Sequence, residues 1–114
     1  MMHEKLESYR RSVGMAEELC KEGARWPRGF GYLLDQQRRA MASVVLNIAE
    51  GNARRSQVER RRFFEIAHGS VAEVAACVDL ARAFGLMGQE RSESLKSRLN
   101  ELSRMIWGLM RRSP

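Results

Sequence analysis

Residues 38–73, RRAMASVVLNIAEGNARRSQVERRRFFEIAHGSVAE, place two apolar patterns of helical period on either side of a short polar joint crowded with arginine. Before the joint, Met41, Val44, Val45 and Ile48 recur at threes and fours, with Leu34 one turn and more upstream, so their side chains share one face of an α-helix. After it, Ser56-Gln57-Val58-Glu59 fits a capping box, in which the Ser side chain accepts from the amide three residues on and the Glu returns the bond. Phe64, Ala67 and Val71 then open a second stripe. Two amphipathic helices so joined fold back as an antiparallel hairpin.

Working outward from the joint, the helix before it is expected over about Tyr32–Gly51, with Gly51-Asn52 ending it because both residues tolerate the left-handed conformation that closes a helix. The helix after it carries two stripes, Phe64, Ala67, Val71, Val74, Val78, Ala81 and Phe63, Ile66, Ser70, Cys77, Leu80, Phe84. An apolar surface that wide, over ~100°, suits either the centre of a four-helix core or a helix that packs both within its bundle and against a neighbouring subunit. In the second case Phe63, Ile66, Leu80 and Phe84 are the interface. Upstream, Leu6, Tyr9, Val13, Ala16 and Cys20 predict a first helix from about His3 to Glu22 with those residues facing inward and Gly23 stopping it. Arg25 to Gly29 is then a loop, broken by Pro27 and Gly29, where Trp26 can lie over the end of the core. Gly85 and Gly88 punctuate the last turn, and Leu95, Leu99, Leu102, Ile106 and Leu109 form the seam of a fourth helix reaching about Arg111.

Four amphipathic helices with mostly short links predict an all-α fold, an antiparallel up-and-down four-helix bundle. The chain has 114 residues, which suits one domain over 1–114. Strand formers are sparse and Pro occurs twice.

Charge is distributed unevenly. Arg25 to Arg62 holds nine arginines against Asp35, Glu50 and Glu59, an excess of six that equals the net charge of the whole chain, +6. The remaining residues cancel. Arg outnumbers Lys 17 to 3, and its planar donor fork matches phosphate or carboxylate oxygens two at a time, although a GC-rich genome would also favour Arg codons. Cys20 and Cys77 lie on apolar stripes without metal-ligand spacing and read as buried free thiols. With no signal peptide and no apolar run of membrane-spanning length, the expected location is a reducing cytoplasm.

An antiparallel pairing about a turn at residues 52–56 sets Asn47 near Arg60 and Arg61, and Arg39 near His68 and Gly69. Gly69 in mid-helix costs ~1 kcal/mol relative to Ala, which close approach to the small Ala40/Ser43 surface would offset. Ser70 could bond to its own helix or across this contact.

In order along the chain, Arg38-Arg39-Ala40, Asn47-Ile48-Ala49-Glu50-Gly51, Arg62-Phe63-Phe64 and Gly69-Ser70-Val71-Ala72-Glu73 together resemble the four-helix bundle family named for proteins encoded in intervening sequences of 23S ribosomal RNA. The resemblance spans about residues 30–86. It implies a small bacterial bundle that assembles into a homo-oligomeric ring, most often a pentamer, in which Asn47, Glu50, Gly51, Gly69, Ser70 and Glu73 are structural motif positions. It implies no enzymatic activity. The chain is also similar, more distantly, to the basic pentameric accessory proteins of diversity-generating retroelements, which implies nucleic acid and a reverse transcriptase as partners. Val45 stands where the family commonly has Pro, and His68 where it commonly has a basic residue.

The chemistry of the basic stretch points the same way. Arg60, Arg61 and Arg62 open a helix whose dipole already presents positive charge, a juxtaposition that a bound anion relieves. With Arg38, Arg39, Arg54 and Arg55 they can form several phosphate contacts, which supports sequence-tolerant binding of RNA or DNA as accessory to a nucleic-acid-processing enzyme. The alternative is a protein-interaction scaffold whose arginines meet acidic partner surfaces or only solvate the fold. Aromatic residues are not interleaved with the basic stretch apart from Phe63 and Phe64, so base stacking is not expected. Glu65-Ile66-Ala67-His68 has the Glu-x-x-His spacing of di-iron bundles, but the second such motif is missing, and no metal or cofactor is expected. No nucleophile-base order or phosphate loop occurs, so the chain does not read as an enzyme. Glu50 and Glu73 read as partners of Arg39 or Arg62, and His68 as a polar neighbour of Arg39 or of a subunit contact.

Overall fold

The computed structural model describes residues 2–112. Four helices follow one another: α1 Met2–Gly23, α2 Gly31–Ala53, α3 Gln57–Ala83 and α4 Gln89–Arg111. Each packs on its neighbours in sequence, and α1 closes the bundle against α4. The result is an antiparallel bundle measuring 44 × 23 × 18 Å, with no strand among the described residues.

Its core is the one the periodicity predicts for α4 and for the Phe64–Ala81 stripe of α3, whereas in α2 Leu33 and Gln37 turn inward and the expected Leu34 and Val45 are half-buried. Val44 and Ile48 of α2, Phe64, Ala67, Val74, Val78 and Ala81 of α3, and Leu95, Leu99, Leu102, Ile106 and Leu109 of α4 are buried. Trp26 lies partly buried over the end of this core, as expected of the loop. The Ser56 cap forms, its Oγ accepting from the Glu59 amide at 3.3 Å. Positive φ occurs at Gly29 and Gly85 in the two other connections, where an L side chain would be strained.

α1 departs from expectation. Its inward face is Ser8, Ser12, Met15, Leu19 and Glu22, while Leu6, Tyr9 and Cys20 are exposed and Val13 and Ala16 half-buried. The helix is rotated by about one residue from the most apolar setting. The two buried serines satisfy themselves, Ser8 Oγ donating to the Lys5 carbonyl at 3.0 Å and Ser12 Oγ to that of Tyr9 at 2.7 Å. A hydroxyl that can return its hydrogen bond to the preceding turn enters a core at little cost, so small buried serines let α1 sit close. Cys20 is thereby exposed and only Cys77 is buried, its thiol pKa raised by burial first and by Glu73 second.

The joint between α2 and α3 also differs. Gly51 and Asn52 do not end α2, which continues to Ala53. Gly51 instead makes room for a ring of α3: a Cβ there would lie 2.5 Å from Cε1 of Phe64. This contact sets the register, with Ser43 opposite Ser70, their Oγ atoms 2.7 Å apart, and Gln36 hydrogen-bonded to Glu73. Asn47 donates to the Ser43 carbonyl at 2.8 Å and to its Oγ at 3.1 Å, extending the serine pair. Gly69, by contrast, is exposed and meets nothing within 4 Å of an added Cβ, so contact with Ala40 and Ser43 does not explain it.

Candidate nucleic-acid interface

The antiparallel topology gathers three chain segments at one end of the bundle: the start of α1, the α2–α3 turn and the last turn of α4. Asn52 Nδ2 donates to the Lys5 carbonyl at 3.2 Å, and Arg61 Nη1 approaches the Met110 carbonyl at 3.5 Å. Arg54, Arg55, Arg60, Arg61 and Arg62 therefore share this end with Arg111 and Arg112, which sequence reasoning did not include. The missed signal was the pair of arginines closing the α4 seam, whose position depends on the direction in which α4 returns.

These groups divide into two sets. Arg54 is held by Glu50, Nη2 to Oε2 2.7 Å, and its guanidinium carbon lies 5.1 Å from the centre of the Phe63 ring. Arg60 Nη1 donates to the carbonyls of Arg55 at 3.0 Å and Arg54 at 3.3 Å. It thus places a cation on the chain just beyond α2, where the helix dipole leaves negative charge. Arg61 pairs with Glu65 at 3.2 Å. Arg55, Arg62 and Arg111 are exposed, and among the described residues their guanidinium groups make no hydrogen bond or ion pair. Arg112 has only a 4.0 Å contact with Glu4. Exposed pairs of this kind are weak, so Arg54 and Arg61 can still turn to an incoming anion beside Arg55, Arg62 and Arg111.

Arg38 and Arg39 are not brought to this end. Fourteen residues of α2 follow Arg39 before the turn, roughly 21 Å along the axis. Arg38 lines a cleft between α1 and α2 beside Cys20 and Met41. The carboxylates are also partnered differently from expectation: Glu50 binds Arg54, and Glu73 binds Gln36. His68 faces α4, its Nε2 2.9 Å from Ser103 Oγ and its ring 6.1 Å from that of Trp107.

Of the four residues expected at a subunit interface, Ile66, Leu80 and Phe84 are 44%, 45% and 46% exposed. Phe63 is half-buried beneath Arg54. Leu6, Tyr9, Tyr32 and Leu46 add exposed apolar surface on α1 and α2. Among the described residues no group of His, Cys, Asp or Glu could hold a metal ion, and no helix is long and apolar enough to cross a membrane.

The fold and this basic end define a small all-α bundle with localised positive charge. The chain belongs to the family of 23S rRNA-intervening sequence proteins, whose model matches residues 4–108. It is similar in fold to a crystal structure from Bacteroides thetaiotaomicron VPI-5482, described as a protein of unknown function from the S23 ribosomal protein family. The TM-score is 0.84 at 15% identity, covering 95% of this chain and 98% of that one. No curated protein matches the chain.

Proposed function

We propose that this chain is a non-catalytic nucleic-acid-binding bundle of the cytoplasm that works as a homo-oligomer. It holds RNA or DNA through the arginines at the α2–α3 turn, as an accessory to a nucleic-acid-processing enzyme such as a reverse transcriptase. The observation that carries this reading is the gathering of Arg54, Arg55, Arg60, Arg61 and Arg62 with Arg111 and Arg112 at one end, several of them without a carboxylate partner. Guanidinium groups spread over a surface of this kind contact phosphates without reading bases, so binding is sequence-tolerant and releases counterions.

Exposed Ile66, Leu80 and Phe84 support self-association. They lie on α3, and Leu6 and Tyr9 on α1; separate apolar patches suit head-to-tail contacts, which form a ring when the rotation between copies closes. A ring would repeat the basic end and multiply a weak single-site affinity.

The test is retention of structured RNA and of duplex DNA at low and moderate salt, by wild type and by a variant with Arg54, Arg55 and Arg62 changed together to Glu. Retention should fall steeply with salt and vanish in the variant. Binding indifferent to salt, or intact in the variant, rules the reading out, and a protein retained after nuclease treatment would favour the scaffold alternative.

A further inference from the structure

We infer that Trp107, with His68 beside it, is a base-stacking platform, so that the nucleic acid held at this end includes unpaired nucleotides; this rests on the nucleic-acid reading above and names its ligand more closely. Trp107 is 46% exposed on α4, and its indole lies 6.1 Å from the His68 ring at an interplanar angle of 49°. His68 is fixed in turn by Ser103 Oγ at 2.9 Å. Other large apolar side chains of the bundle are also exposed, Tyr32 and Phe84 among them, but the Trp107 indole offers the broadest flat face for a base.

Its surroundings identify the occupant. Arg104 and Arg111 stand three residues before and four after Trp107, so both share its side of α4. Both are exposed and without a hydrogen bond or ion pair among the described residues. Arg61 reaches the same helix from α3 through the Met110 carbonyl. An aromatic face flanked by guanidinium groups fits a strand whose bases can turn onto the ring while its phosphates meet the arginines. A base inside a duplex is already stacked on both faces and is not free to turn onto the indole. The basic stretch of the sequence lacks interleaved aromatics; the fold supplies one, Trp107, from α4.

The experiment uses the full chain carrying Trp26→Phe, in which Trp107 is the remaining indole of the two in the sequence. The Trp26 indole nitrogen has no hydrogen-bond partner to lose. Its emission is followed on titration with oligo(dT) and oligo(U) of about twenty nucleotides and with a duplex of the same length. Single strands should quench Trp107. In binding assays, Trp107→Ala should weaken single-strand affinity roughly tenfold and Trp107→Phe less, with duplex affinity changed less than about twofold. Emission unchanged at saturating single strand overturns the platform, as does unaltered affinity in a Trp107→Ala protein whose helical circular dichroism is intact. If binding is still lost in the Arg54, Arg55, Arg62 to Glu variant in that case, the phosphate-contact reading survives. Emission that shifts only on dilution assigns Trp107 to a contact between copies and overturns the platform, and no binding of any strand removes both readings.

Discussion

The ring of Phe64 lies against Gly51 so closely that three of its carbons would come within 2.9 Å of a Cβ at that position. Phe64 is fully buried and cannot retreat. The same bundle leaves Gly69, in the middle of α3, facing open space.

Alanine at these two glycines should therefore act in opposite directions. Gly51→Ala gains helix propensity but overpacks a closed core, for a net loss on the order of 1–2 kcal/mol. Gly69→Ala gains about 0.5–1 kcal/mol, because its space is free and the unfolded chain loses entropy. Urea denaturation of both variants measures the two signs. A Gly69→Ala protein that also sheds oligomer mass would place Gly69 at a subunit contact.

The arginines should separate by role. Arg60→Ala loses the bonds to the Arg54 and Arg55 carbonyls and should cost about 1 kcal/mol of stability. Arg55→Ala and Arg62→Ala should stay within about 0.5 kcal/mol of wild type. Each of these two should instead reduce the salt slope of nucleic-acid binding by about one. Thermal melts beside salt titrations of binding read both effects.

Self-association should depend on the exposed flank of α3. Leu80→Glu with Phe84→Glu removes apolar area without opening the core, so the melting temperature of the subunit should change little. Light scattering at tens of micromolar should then give a monomer mass, against a multiple for wild type. A monomer mass for wild type itself would end the ring reading.

At the opposite end, Arg91 ties α4 to α1, its Nη2 2.7 Å from Glu18 and its Nε 3.0 Å from the buried Glu22. The hydrogen bond from Arg91 holds the Glu18 carboxyl below its ordinary value of 4.5. A carboxylate so depressed contributes stability that is complete above that value and is lost as pH falls through the lowered one. Arg91→Ala should denature at lower urea than wild type at pH 7, and the gap should narrow as pH drops below 4.5. Urea midpoints from neutral to acid pH check this; a gap that widens would contradict it.

The α4 seam was legible in sequence because its period is unbroken and Leu95, Leu99, Leu102, Ile106 and Leu109 are all buried, whereas in the second stripe of α3 Ile66, Leu80 and Phe84 stay exposed. α1 was misread for the complementary reason: Leu6 and Tyr9 look like core residues, but serines at Ser8 and Ser12 bond to their own helix and enter the core in their place. The turn arginines were legible as a local run. Their companions Arg104, Trp107 and Arg111 were not, since they lie some fifty residues away and join the site only because α4 runs antiparallel to α3.

Periodicity, caps and the absence of strand formers, all local quantities, were enough to determine four helices in an up-and-down order. Local sequence does not encode which of two adjacent stripes turns inward, which glycine meets a ring, or which distant side chains share one end. Those were decided by the packing of whole helices, where a single contact such as Gly51 on Phe64 fixes the register and carries every other residue of both helices with it.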